Sequence, residues 1–278
     1  MSPTRLKVAQ VGYRFRHWGV EMWTDRKKSK FAAWQDQNPK GTFKQFYAEK
    51  LSKALAGEKQ HSSIGPSLKK KGLHKTPHIF SKLVAGGLKP NDMFVDFGCG
   101  TLRVGASLIE YLEPDRYVGF DIDEKILDVG RELLPPGVCE AKRPRLAVVS
   151  PQSLGEVAAL HPNWIFSKGV LQHVPPGELD EFFQNLASLM HPETVGVLRA
   201  QIGSKNEQIS AKSWLHTIED LQRAAAGHGL DLEINQQEPL RHWISLRTRR
   251  ALAACLWFLT ALPMLDFDTG FAIAVALS

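Results

Sequence analysis

Apolar residues recur along this chain in two different patterns, and the change comes about a third of the way along. In the first part the spacing is helical, and Thr42 is the expected N-cap of a helix over residues 43–55. A second helix opens at Pro77, where proline forfeits no amide hydrogen bond. The sequence therefore predicts a basic helical N-terminal extension or cap over residues 1–75, followed by a domain over residues 76–278.

In the second part, short apolar runs alternate with amphipathic helical segments. The predicted strands lie at residues 93–97, 117–120, 146–149, 164–166, 194–200, 231–235 and 271–277. Strands that alternate with helices of this length form a parallel sheet covered by helices on both faces. The predicted fold class is therefore α/β, a doubly wound and mostly parallel seven-stranded sheet. Right-handed crossovers would place every strand-to-helix turn on one edge, where ligands bind.

One C-terminal segment departs from this alternation. Residues 241–264 are basic first and then apolar, which predicts a helical insertion at about residues 240–265. Such a helix could pack against the core, close over a site or lie on a lipid surface. Packing is the default interpretation, because apolar helices of this length usually bury themselves.

Composition narrows the class of protein. The chain has 43% hydrophobic and 23% charged residues, the values of an ordinary globular protein. No apolar run reaches the roughly 18 residues of a membrane-spanning helix, and the N-terminus shows no secretory signal. The three cysteines form no CxxC pair, so neither a disulfide framework nor a zinc site is expected. These features predict a cytoplasmic protein.

Charge is divided unevenly along the chain. Residues 1–90 hold 19 Lys and Arg against 5 Asp and Glu, whereas residues 91–278 hold 16 against 24. A basic leader on an acidic body suggests an anionic partner, such as phosphate, nucleic acid, an acidic glycan or a peripheral membrane surface. A solvated lysine-rich segment that neutralises the body explains the pattern equally well, and both interpretations stay open.

The turn after the first strand of the sheet carries the clearest chemical signal, the sequence VDFGCGT. Gly98 and Gly100 allow a ligand to approach the backbone closely, and a helix beginning near Thr101 would present free amides to it. Asp96 stands before the glycines, where its carboxylate can receive a cationic amino group. Asp121 ends the second strand, the expected place for a carboxylate that binds ribose hydroxyls.

These two acids argue against a nicotinamide cofactor, because a pyrophosphate is repelled by a neighbouring carboxylate. The third glycine of the dinucleotide pattern is also misplaced, at Gly105, and the lysine of a nucleoside-triphosphate loop is absent. A ligand with one ribose, one adenine, a sulfonium and an amino acid end fits better.

VDFGCGT, followed by YVGFDID, WIFSKGVLQHVPPGEL and LMHPETVGVLRA, resembles the class I S-adenosylmethionine-dependent methyltransferases in order and spacing. The resemblance covers about residues 76–236 and, within the superfamily, is closest in character to small-molecule or glycan-modifying members. It implies a Rossmann-like sheet with S-adenosylmethionine as the cofactor.

The resemblance also implies which residues bind the cofactor. Asp121 would bind the ribose with Ile122 beside the adenine, and Ser150 stands where the family often has an acid that contacts the adenine. Ser167 and Lys168 would offer backbone groups to the amino end. The implied cofactor-binding set is Asp96, Phe97, Gly98, Cys99, Gly100, Thr101, Asp121, Ile122, Ser150, Ser167 and Lys168.

The methyl acceptor is narrowed by missing motifs. The turn that marks amino methylation of nucleobases, a Pro-Cys nucleophile and the acidic cluster of a magnesium-dependent enzyme are all absent from the sequence. What remains is metal-independent O- or N-methylation of a small molecule, sugar or glycan. His173, just past the fourth strand, is the general-base candidate, or else a residue that only holds the turn before Pro175.

Two alternatives to this function stay open. An RNA methyltransferase would use the basic N-terminal region to hold phosphate. A non-catalytic or membrane-associated binding protein of the same fold would use that region together with residues 241–264.

Overall fold

The computed structural model describes residues 30–56, 77–210, 212–238 and 241–248 of the chain. Its helices are α1 (30–37), α2 (Phe43–Ala56), α3 (Pro77–Ala85), α4 (Gly105–Tyr111), α5 (Glu124–Leu133), α6 (Val138–Lys142), α7 (Pro151–Ala158), α8 (Leu179–Leu189) and α9 (Ile218–Gly227). Its strands are β1 (Phe94–Phe97), β2 (Tyr117–Asp121), β3 (Arg145–Val148), β4 (Trp164–Lys168), β5 (Val195–Gln201), β6 (Glu207–Ser210), β7 (Ser213–Leu215), β8 (Leu230–Glu238) and β9 (Arg241–Thr248). Two short 3-10 turns follow β4, at Leu171–His173 and Pro176–Glu178.

Seven of these strands form one sheet in the order β3-β2-β1-β4-β5-β9-β8, and β6 pairs with β7 in a separate hairpin. Strands β1 to β5 pair in parallel, whereas β9 runs antiparallel to both β5 and β8. The expected α/β class, with a doubly wound and mostly parallel sheet, is confirmed. The chain winds outward from β1 on one side and resumes at β4 on the other, so a crevice opens between their carboxyl ends.

Helices cover both faces of the sheet because its central strands are apolar on both sides. Val95 and Phe97 of β1 belong to a core that includes α7, α8 and α9, whereas Phe94 belongs to a core that includes α3, α4 and α5. Asp96 is the charged residue of this strand and is only 3% exposed. Strand β1 therefore carries the carboxyl group of Asp96 into an apolar interior next to the crevice.

The C-terminal part of the sheet differs from the sequence-based expectation. The predicted helical insertion at about residues 240–265 was wrong in its first part, which forms strand β9. The segment RHWISLRT contains aromatic and β-branched residues that favour an extended chain, and both edges of the strand find a partner. The rest of that insertion and the strand predicted at residues 271–277 lie outside the described residues, as does the predicted boundary after residue 75.

Helix α4 begins later than the sequence predicts: it was expected near Thr101 and starts at Gly105, after several residues in turns. Helix α9 begins at Ile218, because the Thr217 hydroxyl accepts a hydrogen bond from the Asp220 amide at 3.1 Å and caps the helix there. None of the helices in the described part of the chain is long and apolar enough to cross a membrane.

The burial of side chains in the core leads to a prediction about the free energy of unfolding. Phe183 on α8 is fully buried in the core that includes α7 and α9. Because Phe183→Ala leaves a cavity there, we expect it to lower the free energy of unfolding by about 3–5 kcal/mol. Leu160 is 43% exposed, and Leu160→Ala should change it by no more than about 0.5 kcal/mol. Urea denaturation followed by circular dichroism measures both variants, and equal midpoints would contradict this core.

Candidate active site

A cavity of about 470 Å³ occupies the crevice at the carboxyl ends of β1, β2, β4 and β5. Its walls are the turn after β1, the end of β2, the 3-10 turns after β4, the N-terminal half of α8 and one side of α2. The volume lies in the range of small-molecule and cofactor sites. The cavity therefore lies on the sheet edge where the sequence predicted ligand binding.

The turn after β1 is held against the end of β2 by backbone hydrogen bonds. The amides of Gly98 and Cys99 both donate to the carbonyl of Phe120, at 2.7 and 2.8 Å. Gly98 has φ of +86°, and a Cβ there would lie 1.9 Å from the Val170 side chain. Any side chain at Gly98 would thus be strained in its backbone and would collide with the turn after β4.

The helix after this turn does not present its end to the cavity as predicted, because α4 begins only at Gly105. The turn residues line the cavity instead, and the Thr101 hydroxyl is buried there with no hydrogen-bond partner among the described residues. A buried hydroxyl without a partner is costly, so this atom is a ready contact for a polar ligand.

Asp96 lines the cavity at the end of β1 and is buried against β2. The hydroxyl of Tyr117 donates to its Oδ2 at 2.9 Å. Burial raises the pKa of Asp96 to about 7, although the Tyr117 hydrogen bond and the positive charge of Lys168 oppose the rise. A cationic ligand group beside Asp96 would stabilise its ionised form, because the positive charge would compensate for the solvation that the carboxylate loses on burial.

Asp121 lies at the end of β2 and also lines the cavity. Its Oδ2 accepts the Gly100 amide at 2.9 Å and its Oδ1 accepts the Ile122 amide at 2.8 Å. Burial raises the pKa of Asp121 to about 6, against the pull of these two hydrogen bonds. The carboxylate is thus oriented by backbone donors, while each oxygen keeps a lone pair for a ligand hydroxyl.

Most of the predicted cofactor-binding residues meet at this cavity, and two do not. Those on its wall are Asp96, Phe97, Gly98, Cys99, Gly100, Thr101, Asp121, Ile122 and Lys168. Ser150 is not on the wall, because its hydroxyl accepts the Ser153 amide at 3.1 Å and caps α7. Ser167 is buried within β4. The neighbour of Ser150, Val149, takes the wall position next to β3.

His173 lies in the first 3-10 turn after β4 and lines the cavity. Its Nδ1 hydrogen bonds to the backbone carbonyl of Lys212, which can only accept, so Nδ1 carries the proton. The Gln172 amide nitrogen lies 3.1 Å from Nε2 and donates to it, and Gln201 donates to Gln172 Oε1 at 2.6 Å. Burial lowers the pKa of His173 to about 4, so the imidazole is neutral near pH 7.

His216 contacts the backbone at the start of this turn. It is fully buried, and its Nε2 lies 3.0 Å from the carbonyl of Leu171 at the start of the turn. Trp214 is buried beside α2, with its ring 4.4 Å from that of Phe43. His216 and Trp214 thus pack against the turn and α2, and both lie just before α9.

Helix α2 covers the open side of the cavity, and Phe43, Lys44, Tyr47 and Leu51 line it. The ring of Tyr47 stacks on that of His173, with centroids 5.2 Å apart and planes inclined by 21°. Sequence reasoning missed Tyr47, because its helical spacing indicates only an apolar face. The Tyr47 ring contacts both Phe43 on that apolar face and the candidate base His173.

Polar contacts hold α2 in place at both ends. The Phe43 amide donates to Glu178 Oε1 at 2.6 Å, so a glutamate from the second 3-10 turn caps the helix. Lys44 pairs with Glu181 on α8 at 3.2 Å, and Ser52 donates to Asp123 at 2.7 Å. Sequence reasoning also missed Glu178. Its position after β4, at the edge of the sheet where ligands bind, was the only feature of the sequence that pointed to it.

The comparisons with known proteins agree with this geometry. Residues 95–195 match the family of methyltransferase domains, and no curated protein matches the chain. Among solved structures, magnesium protoporphyrin IX methyltransferase from Synechocystis with bound S-adenosylmethionine superposes with a TM-score of 0.51. It is 16% identical, and the superposition covers 75% of this chain and 98% of that one. A TehB-like methyltransferase from Corynebacterium glutamicum, 15% identical, gives 0.45 over 74% and 97% of the two chains.

At these identities the structural likeness shows the fold, and the family match shows the class of domain. Residues 95–195 are thus similar to methyltransferase domains, and the cofactor that such a domain implies is S-adenosylmethionine. The resemblance drawn from the VDFGCGT turn is therefore confirmed.

The geometry of Asp121 leads to a test of its predicted ribose contact. We expect Asp121→Ala to weaken binding of S-adenosylhomocysteine by at least tenfold, because hydrogen bonds to a charged group contribute about 1.5–3 kcal/mol. Asp128→Ala, which removes a charge from the outer face of α5, is the matched control and should leave affinity unchanged. Isothermal titration calorimetry measures both, and unchanged affinity in Asp121→Ala would refute the ribose assignment.

Proposed function

We propose that this methyltransferase transfers a methyl group to an oxygen, or alternatively a nitrogen, of a small molecule, sugar or glycan, without a metal ion. The observation that carries the proposal is the position of a neutral, tautomer-defined His173 in the same cavity as the turn after β1. A candidate base and a cofactor loop in the walls of one cavity match the needs of an in-line displacement.

The described residues fit S-adenosylmethionine by charge and by space. Asp96 offers a buried carboxylate to an ammonium group, Asp121 two oriented oxygens to a ribose, and Gly98 a surface without a side chain. When bound, the cofactor supplies a methyl group on a sulfonium carbon that is already activated. The residues of this chain then have to align the acceptor, exclude water and accept its proton.

His173 has the correct state for accepting that proton. Since Nδ1 donates to a carbonyl, Nε2 keeps the lone pair, and a hydroxyl acceptor would take the place of the Gln172 amide there. The proton of the acceptor hydroxyl passes to Nε2 as its oxygen gains the methyl group, and the imidazolium later returns the proton to water. The stack of Tyr47 on the imidazole fixes the plane in which Nε2 points.

The cavity wall around His173 favours a methyl acceptor that is a hydroxyl-bearing ring. Gln172 and Gln201 supply planar amides, Arg199 a guanidinium, and Tyr47 and Phe43 apolar ring surface. Planar polar groups beside aromatic surface are suited to a sugar, whose faces are apolar and whose edges carry hydroxyls. The enclosure by α2 also favours an acceptor that enters the cavity whole or through one terminal residue.

The first test is calorimetric titration with S-adenosylmethionine and, separately, S-adenosylhomocysteine. We expect both to bind in the micromolar range, and an acceptor screen with sugars and anionic metabolites then follows. Turnover that is unchanged by EDTA would support the metal-independent reaction. If neither ligand binds, the proposed function is contradicted. If only structured RNA is methylated, the acceptor is an RNA and the proposed acceptor class is wrong.

His173 makes a sharper prediction once an acceptor is known. We expect His173→Gln to lower kcat by 10²–10⁴-fold for a hydroxyl acceptor, the usual contribution of a general base, while the affinity for S-adenosylhomocysteine stays unchanged. His228→Gln, at an exposed pair with Asp180, is the control. An equal kcat in His173→Gln would leave the residue a purely structural function in the turn.

The pH dependence of kcat tests the protonation state assigned to His173. Because the pKa of His173 is lowered to about 4, the imidazole stays unprotonated above that value. At saturating cofactor, kcat should therefore not fall between pH 8 and pH 6, where an ordinary histidine becomes charged. A fall with a midpoint near pH 6.5 would show that the bound state exposes His173 to solvent.

A further inference from the structure

We propose that Tyr117 is a positioning residue for cofactor binding: its hydroxyl favours the ionised form of the Asp96 carboxylate and orients that carboxylate towards the amino end of the cofactor. The proposal rests on the proposed function of Asp96. Tyr117 itself lies at the start of β2, off the cavity wall; it opens the YVGFDID segment, but the sequence analysis assigns it no function.

The first observation is the contact itself. Tyr117 and Asp96 are 2% and 3% exposed, and Tyr117 Oη donates to Asp96 Oδ2 at 2.9 Å. Oδ1 is not engaged by this bond, and Asp96 as a residue lines the cavity. A hydroxyl donor on one oxygen both fixes the carboxylate plane and lowers the cost of its negative charge.

The second observation is that two glycines make room for this contact. Tyr117 reaches Asp96 by lying along β2 over Gly119, whose position is paired with Asp96 in the sheet. A Cβ at Gly119 would lie 3.2 Å from the Tyr117 ring and 2.7 Å from Leu146. A Cβ at Gly105, where α4 begins, would lie 2.3 Å from the Tyr117 hydroxyl. A side chain at Gly105 would therefore displace the Tyr117 hydroxyl, and one at Gly119 would crowd the ring.

The electrostatic surroundings explain why the donor matters. Asp96 is faced by Tyr117 and Asp121 from β2, by Cys99 from the turn and by Lys168 from β4. Burial and Asp121 raise the pKa of Asp96, while Tyr117 and Lys168 lower it, and the balance is about 7. Because the pKa of Asp96 lies so close to neutrality, loss of the Tyr117 hydrogen bond raises it further and leaves less of the carboxyl ionised near pH 7.

The test compares two ligands across pH. S-Adenosylhomocysteine has an ammonium group for Asp96, whereas 5′-methylthioadenosine has the same adenosine and no amino acid end. In the wild type, the affinity for S-adenosylhomocysteine should rise as pH rises through about 7, because the folded-state carboxyl must lose its proton first. The affinity for 5′-methylthioadenosine should show no step near pH 7, because any titration of Asp121 near pH 6 acts on the ribose and affects both ligands alike.

In Tyr117→Phe the acid limb for S-adenosylhomocysteine should move up by about one pH unit, which means about tenfold weaker binding at pH 6.5. Its affinity for 5′-methylthioadenosine should stay within about twofold of the wild type, which also reports that the pocket is intact. Gly105→Ala keeps the hydroxyl but displaces it, so it should shift the limb in the same direction. Tyr111→Phe, which loses a hydroxyl bonded to the Leu88 carbonyl, is the matched control and should not shift it.

The outcomes separate this inference from the function on which it rests. An unshifted acid limb in Tyr117→Phe, with pH-dependent binding in the wild type, would overturn the inference alone. Equal losses for both ligands at every pH would do the same, since they would mark Tyr117 as a packing residue. If Asp96→Asn bound S-adenosylhomocysteine as tightly as the wild type, the assignment of Asp96 would be refuted, and the inference with it.

Discussion

The whole site depends on how the turn after β1 is held against the end of β2. The carbonyl of Phe120 receives two amides of that turn, and the Asp121 carboxylate receives a third from Gly100. These bonds extend the β1–β2 pairing beyond the strands and into the turn. They require Gly98 to pass against Val170, and only the absence of a side chain permits that approach. The turn is thereby fixed between the two sides of the crevice, and the remaining walls form around it.

A second constraint is electrostatic. Asp96 and Asp121 place two carboxyl groups in a buried crevice, where desolvation raises the pKa of each. The chain supplies hydrogen-bond donors to them, a tyrosine hydroxyl for one and two backbone amides for the other, and the charge of Lys168 lowers the pKa of Asp96. Such donors orient a carboxylate without satisfying its charge. The negative potential that remains is complementary to a ligand that carries a sulfonium and an ammonium group.

The acceptor side is built differently, from parts that are distant in the chain. The 3-10 turns after β4 supply His173 and Glu178, and α2 is bound to both, by a ring stack and by a helix cap. The cover of the cavity and its candidate base are therefore one packed unit. Any motion of α2 that admits an acceptor must also change the surroundings of His173. This coupling links the N-terminal extension to the chemistry through contacts among described residues alone.

The sequence by itself determined the features that depend on neighbours along the chain. The VDFGCGT turn, Asp121 at the end of β2 and the alternation of strands and helices follow from short spacings, and the structure has them where they were predicted. Ser150 shows the limit: its position after β3 was correct, but its hydroxyl is used to cap α7. Only the tertiary structure decided that β9 joins the sheet, that Tyr117 reaches Asp96, and that Glu178 caps a helix 135 residues away. Contacts of that kind join side chains whose proximity arises only when the whole sheet and its helices are packed, so no local pattern encodes them.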